Sequence, residues 1–151
     1  MKSKLLIIII AISLLFFMWV YFLLNPSYDK SVRAKYYYEI GEYKEALSLA
    51  KEAFSLDVYN RMASTIMAQS ITSMKYVSYI EMAKKYMQSI NEIAMHDVVS
   101  DADKAKIRLM CKIMISSYIK LAPSVITDKD LTKDAAKYND GFESLLEKIN
   151  K

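Results

Sequence analysis

The sequence predicts an all-α protein, with one apolar helix at the N-terminus followed by a small domain of about six helices paired as hairpins. Only two glycines and two prolines occur in 151 residues, so few positions force a helix to stop. Beyond position 25, apolar residues recur at spacings of three and four, the period of a helix with one buried face. No Asn-Gly pair supplies the tight turn of a strand hairpin.

The first element covers positions 5–24, LLIIIIAISLLFFMWVYFLL, without a single charge. At about 1.5 Å per residue a helix of this length spans roughly 30 Å, the thickness of a hydrocarbon core. Its fifteen Leu, Ile, Phe and Val side chains favour insertion by about 5–9 kcal/mol in sum. Isoleucine disfavours a helix in water, but in lipid a helix is how one segment satisfies its own backbone. Trp19 and Tyr21 stand near the outer end, where amphipathic rings prefer the headgroup layer. A cleaved signal peptide would carry a shorter apolar run and then small residues, whereas Asn25-Pro26-Ser27-Tyr28 follows here. A core helix rarely runs so far without a polar residue. The expectation is a retained transmembrane anchor at 5–24, a short cytoplasmic end at 1–4, and one domain at 25–151.

Lys2, Lys4 and the terminal amine favour a cytoplasmic N-terminus, against Lys30, Arg33 and Lys35 beyond the span, which Asp29 and Glu39 partly offset. Only three of the 21 basic residues are arginine, a bias common in AT-rich bacterial genomes. Together these features place the chain, as an expectation, in a bacterial inner membrane with its C-terminal domain periplasmic. With Lys2 and Lys4 set aside, 19 basic residues face 17 acidic ones, interleaved and without a stripe. That balance gives nucleic-acid binding no electrostatic footing.

Six helices are expected in the domain. The first, 27–40, carries Val32, Tyr36 or Tyr37, and Ile40 on one side, and Gly41 ends it. The second, 42–56, turns Tyr43, Ala46, Leu47, Ala50, Ala53 and Phe54 inward. A third, 59–74, and a fourth, 78–95, follow, the latter with Ile80, Ala83, Met87 and Ile90 on its stripe. Ser100 and Asp103 form a capping pair for the fifth, which Pro123 terminates; Ile107, Cys111, Met114 and Leu121 face inward. The last begins near Thr127 or Asp128. Leu131, Ala135, Tyr138, Phe142, Leu145 and Ile149 form its narrow seam, in which Gly141 costs about 1 kcal/mol relative to alanine.

Residues 41–57 read GEYKEALSLAKEAFSLD. This run resembles the second helix of a tetratricopeptide repeat, with Ala34 and Tyr37 matching the preceding helix of the same unit. Small Ala46, Ala50 and Ala53 allow the paired helix to approach closely, while Tyr37 and Tyr43 fill the remaining gaps. The best repeat covers 27–60. A degenerate one is expected at 61–96, in which Ala83 lies 37 positions beyond Ala46, and a closing helix pair at 100–149. Val58 departs from the family pattern where a proline usually stands. The resemblance implies a groove built by first helices and lined by Tyr28, Lys35, Tyr38, Gln69 and Thr72, a surface that suits a peptide of a protein partner.

Little in the chain points to chemistry. A single histidine, His96, and a single cysteine, Cys111, exclude the usual zinc sites and an internal disulfide. His96 suits a helix C-terminus, and Cys111 lies on an apolar stripe with Met110 and Met114. Asp101 with Asp103, and Asp128 with Asp130, lack the glycine and closing glutamate of a calcium loop and read as first-turn acids. The glycines are too far apart for a phosphate cradle. No cofactor, metal or enzymatic activity is therefore expected. The chain is expected to be a membrane-anchored helical scaffold or adaptor that binds a protein partner or packs into a larger envelope assembly. The alternative is an accessory subunit of a membrane enzyme or transporter, held through its span. Ala11 and Ser13 are the small residues available there for helix packing.

Overall fold

A computed structural model of the chain describes residues 2–96, 98–122 and 127–150. Among them lie six helices and no strand: α1 (Lys2–Leu24), α2 (Pro26–Glu39), α3 (Tyr43–Leu56), α4 (Arg61–Ala94), α5 (Asp101–Ile119) and α6 (Lys129–Asn150). The chain divides into two compact units, Met1–Ser70 and Ile71–Lys151, where a single domain over 25–151 was expected.

In the first unit, the large apolar side chains described between Leu6 and Trp19 are 50–66% exposed, so α1 is uncovered along this stretch. Among the described residues no single helix is long and apolar enough to cross a membrane. Leu6–Tyr21 and Pro26–Glu39 together have that length and composition, across a bend of 99°. At the bend, the Asn25 side-chain amide donates to the Tyr21 carbonyl at 2.9 Å, satisfying one of the acceptors left over at the end of α1. Pro26 then opens α2 at a position where its missing N–H costs nothing.

Helices α2 and α3 form an antiparallel hairpin, since the start of α2 meets the end of α3: Lys30 pairs with Glu52 at 2.6 Å, and the Ser27 hydroxyl donates to the Ala53 carbonyl at 2.8 Å. The reversal is a Schellman motif. The Glu42 N–H donates to the Tyr37 carbonyl and the Gly41 N–H to that of Tyr38, with Gly41 at a φ of +84° that a side chain would strain. Ala34, Ala46 and Ala50 are fully buried beside Ile66 of α4, so the helix axes close on small side chains.

The inner face of α2 differs from the expected one. Of the expected inner residues Tyr37 packs on the buried cluster, but Val32, Tyr36 and Ile40 are exposed, whereas Ser27, Ser31 and Ala34 are buried. The reason is Asn60. Its amide nitrogen donates to both the Ser27 and Ser31 hydroxyls, and its carbonyl oxygen accepts the Ala63 N–H, capping α4. This polar knot needs hydroxyls facing inward, which turns the apolar stripe of α2 outward.

A second correction concerns the expected third and fourth helices and the degenerate repeat at 61–96. Positions 61–94 form one helix of 34 residues. No glycine or proline interrupts them, and Ser78, read as a helix start, caps nothing when the preceding residues already continue the hydrogen-bond ladder. After α1, five helices therefore stand among the described residues where six were expected.

The second unit packs the later part of α4 against α5 and α6. Tyr76, Tyr79, Ile80, Ala83, Ile90 and Ile93 meet Ile107, Cys111 and Met114 of α5, with Ala135 and Phe142 of α6. Ser100 caps α5 as expected, its hydroxyl oxygen accepting the Asp103 N–H at 3.1 Å. Pro123, the expected terminator of α5, lies outside the described residues. Helix α6 starts at Lys129, and the Asp128 carboxylate accepts the Asp130 N–H at 2.8 Å. Its far end is held by Arg108 of α5, which donates to the Ile149 carbonyl and the Asn150 side chain, both at 3.1 Å. The α6 seam packs on the core as read, and Asn139 is buried with it.

Two predictions arise in this unit. A methyl group built on Gly141 would meet the Met87 methyl at 3.5 Å, an ordinary contact. Gly141→Ala should therefore stabilise the protein by about 0.5–1 kcal/mol through helix propensity, read as a higher midpoint in urea. An unchanged or lower midpoint would contradict it.

The second concerns Tyr79, which is 4% exposed and whose hydroxyl finds no hydrogen-bond partner among the described residues. Burial, then Tyr118 and Glu143, push its phenol up to about 12 from the ordinary 10.0. The folded state thus holds this proton more tightly than the unfolded chain. Its stabilising contribution is complete below the unfolded value and is lost as pH rises toward the folded one. Tyr79→Phe should flatten this alkaline loss and raise stability at neutral pH by about 1 kcal/mol, by removing an unpaired buried hydroxyl. Denaturant titrations of both proteins in steps of pH check it, and a less stable phenylalanine variant at neutral pH would refute it.

Candidate functional site

A cleft of about 410 Å³ opens in the first unit between α2 and the beginning of α4. Helix α2 contributes Lys35, Tyr38 and Glu39; α4 contributes Arg61, Met62, Thr65, Ile66 and Gln69. These positions follow from helical period alone. Steps of three and four set 35, 38 and 39 on one face of α2, and 62, 65, 66 and 69 on one face of α4.

The floor is rigid and apolar. Ile66 is 3% exposed and belongs to the buried cluster with Ala34, Ala46 and Ala50, against which Tyr38 packs. The Tyr38 ring meets Tyr43 edge to face, with centroids 5.3 Å apart and planes at 64°. That contact fixes the ring to the Schellman reversal and leaves few rotamers to be lost on binding. Lys35 and Arg61 bring two positive charges to the rim, against one negative charge on Glu39. The cleft thus pairs an apolar floor with a polar, net positive rim.

Of the residues expected to line a groove, Lys35, Tyr38 and Gln69 come together here. Tyr28 does not join them. It lies in the first turn of α2 and its ring packs on Tyr21, centroids 6.0 Å apart. Thr72 falls in the second unit. Trp19 and Tyr21, the expected interface pair, are both exposed near the end of α1. The residues missed, Glu39, Arg61, Met62, Thr65 and Ile66, carry a legible signal: Glu39 stands four positions from Lys35, Thr65 and Ile66 stand four and three from Gln69, and Arg61 and Met62 stand one further turn back, four from Thr65 and Ile66.

A second concavity of about 500 Å³ lies in the second unit, lined by Lys84, Met87, Gln88, Asn91, Glu92, Met95 and Tyr138. Its walls are flexible methionines and long polar side chains, without the buried floor of the first cleft. Among the described residues no three His, Cys, Asp or Glu side chains converge as metal ligands. His96 stands just beyond α4 with its N–H on the Ile93 carbonyl, as expected of a residue at a helix end. Cys111 is fully buried, and burial pushes its thiol up, away from the reactive thiolate. Compared with known proteins, the chain matches no family model, no curated protein and no solved structure.

Proposed function

We propose that this chain is a single-pass, membrane-anchored helical scaffold that presents the α2–α4 cleft to a protein partner. In this reading α1 sits in a bacterial inner membrane with its N-terminus in the cytoplasm, and the remaining helices stand on the periplasmic side. The observation that carries it is the uncovered apolar length of α1, Leu6 to Trp19, joined directly to a folded hairpin. Burying that length in lipid removes a large apolar area from water at roughly 25 cal/mol per Å². The likeness of 27–60 to a tetratricopeptide unit supports the second half of the reading, because the helix pair meets across alanines and presents Tyr38 beside it. Tethering a partner in the plane of the membrane raises its effective concentration without any bond being made or broken.

A photocrosslinker placed at Gln69 of the full chain, in intact membranes, tests the cleft. One discrete adduct is expected, reduced on the order of tenfold by Tyr38→Ala, since buried aromatic anchors carry much of such an interface. A crosslinker at exposed Tyr59, outside the cleft, is the control. Adducts at Gln69 that ignore the Tyr38 change would set the cleft aside and favour the accessory-subunit reading.

A further inference from the structure

Helix α2 turns an apolar stripe outward. Tyr28, Val32, Tyr36 and Ile40 recur every four residues and are all exposed, Tyr36 by 62% and Ile40 by 53%. These large side chains have most to gain from leaving water, and α3 packs on the opposite face of α2 through Ser27 and Ala34. Two facts of geometry say what lies opposite them. The 99° bend between α1 and α2 lays α2 across the direction of α1. Tyr28, the first member of the stripe, rests on Tyr21 in the last turn of α1, so the stripe starts on the side of α2 that faces back along α1.

We infer that α2 is an interfacial helix, lying in the membrane plane beside the exit of α1 with Val32 and Tyr36 at the boundary of headgroups and acyl chains. This rests on the anchor reading above. A helix that leaves a bilayer and turns by about a right angle runs along the lipid surface, which then faces the side of α2 that α3 leaves uncovered. Its exposed side chains fit that neighbour: tyrosines prefer the headgroup layer, and valine and isoleucine reach below it. Arg33 flanks the stripe and can extend toward anionic phosphates, with a stem that lies along apolar surface. The bend at Asn25-Pro26 also places the cleft at a set height, because Lys35 and Tyr38 ride on the same helix.

The test uses the full chain in vesicles of phosphatidylethanolamine and phosphatidylglycerol carrying a shallow nitroxide quencher near the headgroup. Trp19 is the single tryptophan and reports the anchor itself. In a Trp19→Phe background, Val32→Trp and, separately, Tyr36→Trp report the stripe, and Tyr59→Trp reports a site on the turn before α4. Val32 and Tyr36 are exposed, and tryptophan at 36 keeps an aromatic ring beside Tyr37. The inference predicts that tryptophan at 32 and at 36 each lose about half their emission to the quencher, while tryptophan at 59 loses almost none. Quenching of Trp19 with none at 32 and 36 would overturn the interfacial helix and leave the anchor standing, with a protein partner then covering the stripe. Absence of quenching at Trp19 would overturn both.

Discussion

Asn60→Ala should lower the stability of the folded hairpin by about 2–4 kcal/mol, the largest loss expected from any single side chain in the first unit. Asn60 is 1% exposed and does three jobs at once. Its amide nitrogen donates at 2.8 Å to the Ser27 hydroxyl and at 2.7 Å to that of Ser31, and its carbonyl oxygen caps α4 through the Ala63 N–H at 3.1 Å. Alanine removes the cap, worth about 1 kcal/mol, and both donors, and leaves a void among α2, α3 and α4. Asn60→Asp separates the roles. It keeps an acceptor for the cap but has no donor for the serines, and it buries a charge, so it should be at least as damaging as alanine. Urea titrations of the full chain in detergent read both variants. A loss below about 0.5 kcal/mol for alanine would mean that the knot is not what orients α2.

The second large effect belongs to α1. Each aspartate near the middle of a span opposes insertion by about 2.5–3.5 kcal/mol and also removes an apolar contribution of about 0.3–0.6 kcal/mol. Ile12→Asp together with Leu15→Asp therefore costs about 6–8 kcal/mol, which cancels most of the roughly 5–9 kcal/mol that favours inserting positions 5–24. Flotation with vesicles should carry the parent chain to the top of a gradient and leave the double variant below. Both side chains are exposed, at 61% and 62%, so the variant keeps its folded units. Co-flotation of the double variant would place the attachment elsewhere in the chain.

Local signals were legible wherever one short stretch decides the outcome. Gly41 ends α2, Ser100 and Asp103 open α5, and the spacing from Leu131 to Ile149 lays α6 on the core. Two features depended on residues far apart. The inner face of α2 follows from Asn60, 29 and 33 positions away from its serine partners, and no periodicity within α2 could reveal it. Apolar spacing even favoured the opposite face, because a stripe has the same period whether protein or another surface covers it. The continuous α4 was hidden because its apolar residues were read as two separate stripes, 59–74 and 78–95, although the residues between them supply no breaker. For the cleft, Lys35, Tyr38 and Gln69 came from the repeat resemblance, whereas its α4 wall needed only the helical period to be followed from Gln69 back to Arg61.

Extraction of membranes from cells expressing the full chain with alkaline carbonate bears most directly on the tether. Peripheral proteins leave the bilayer under that treatment, whereas a chain with α1 buried among acyl tails stays in the pellet and comes out only with detergent, its N-terminal sequence intact. Recovery of the chain in the carbonate supernatant, or as a polypeptide that starts after position 24, would contradict the account.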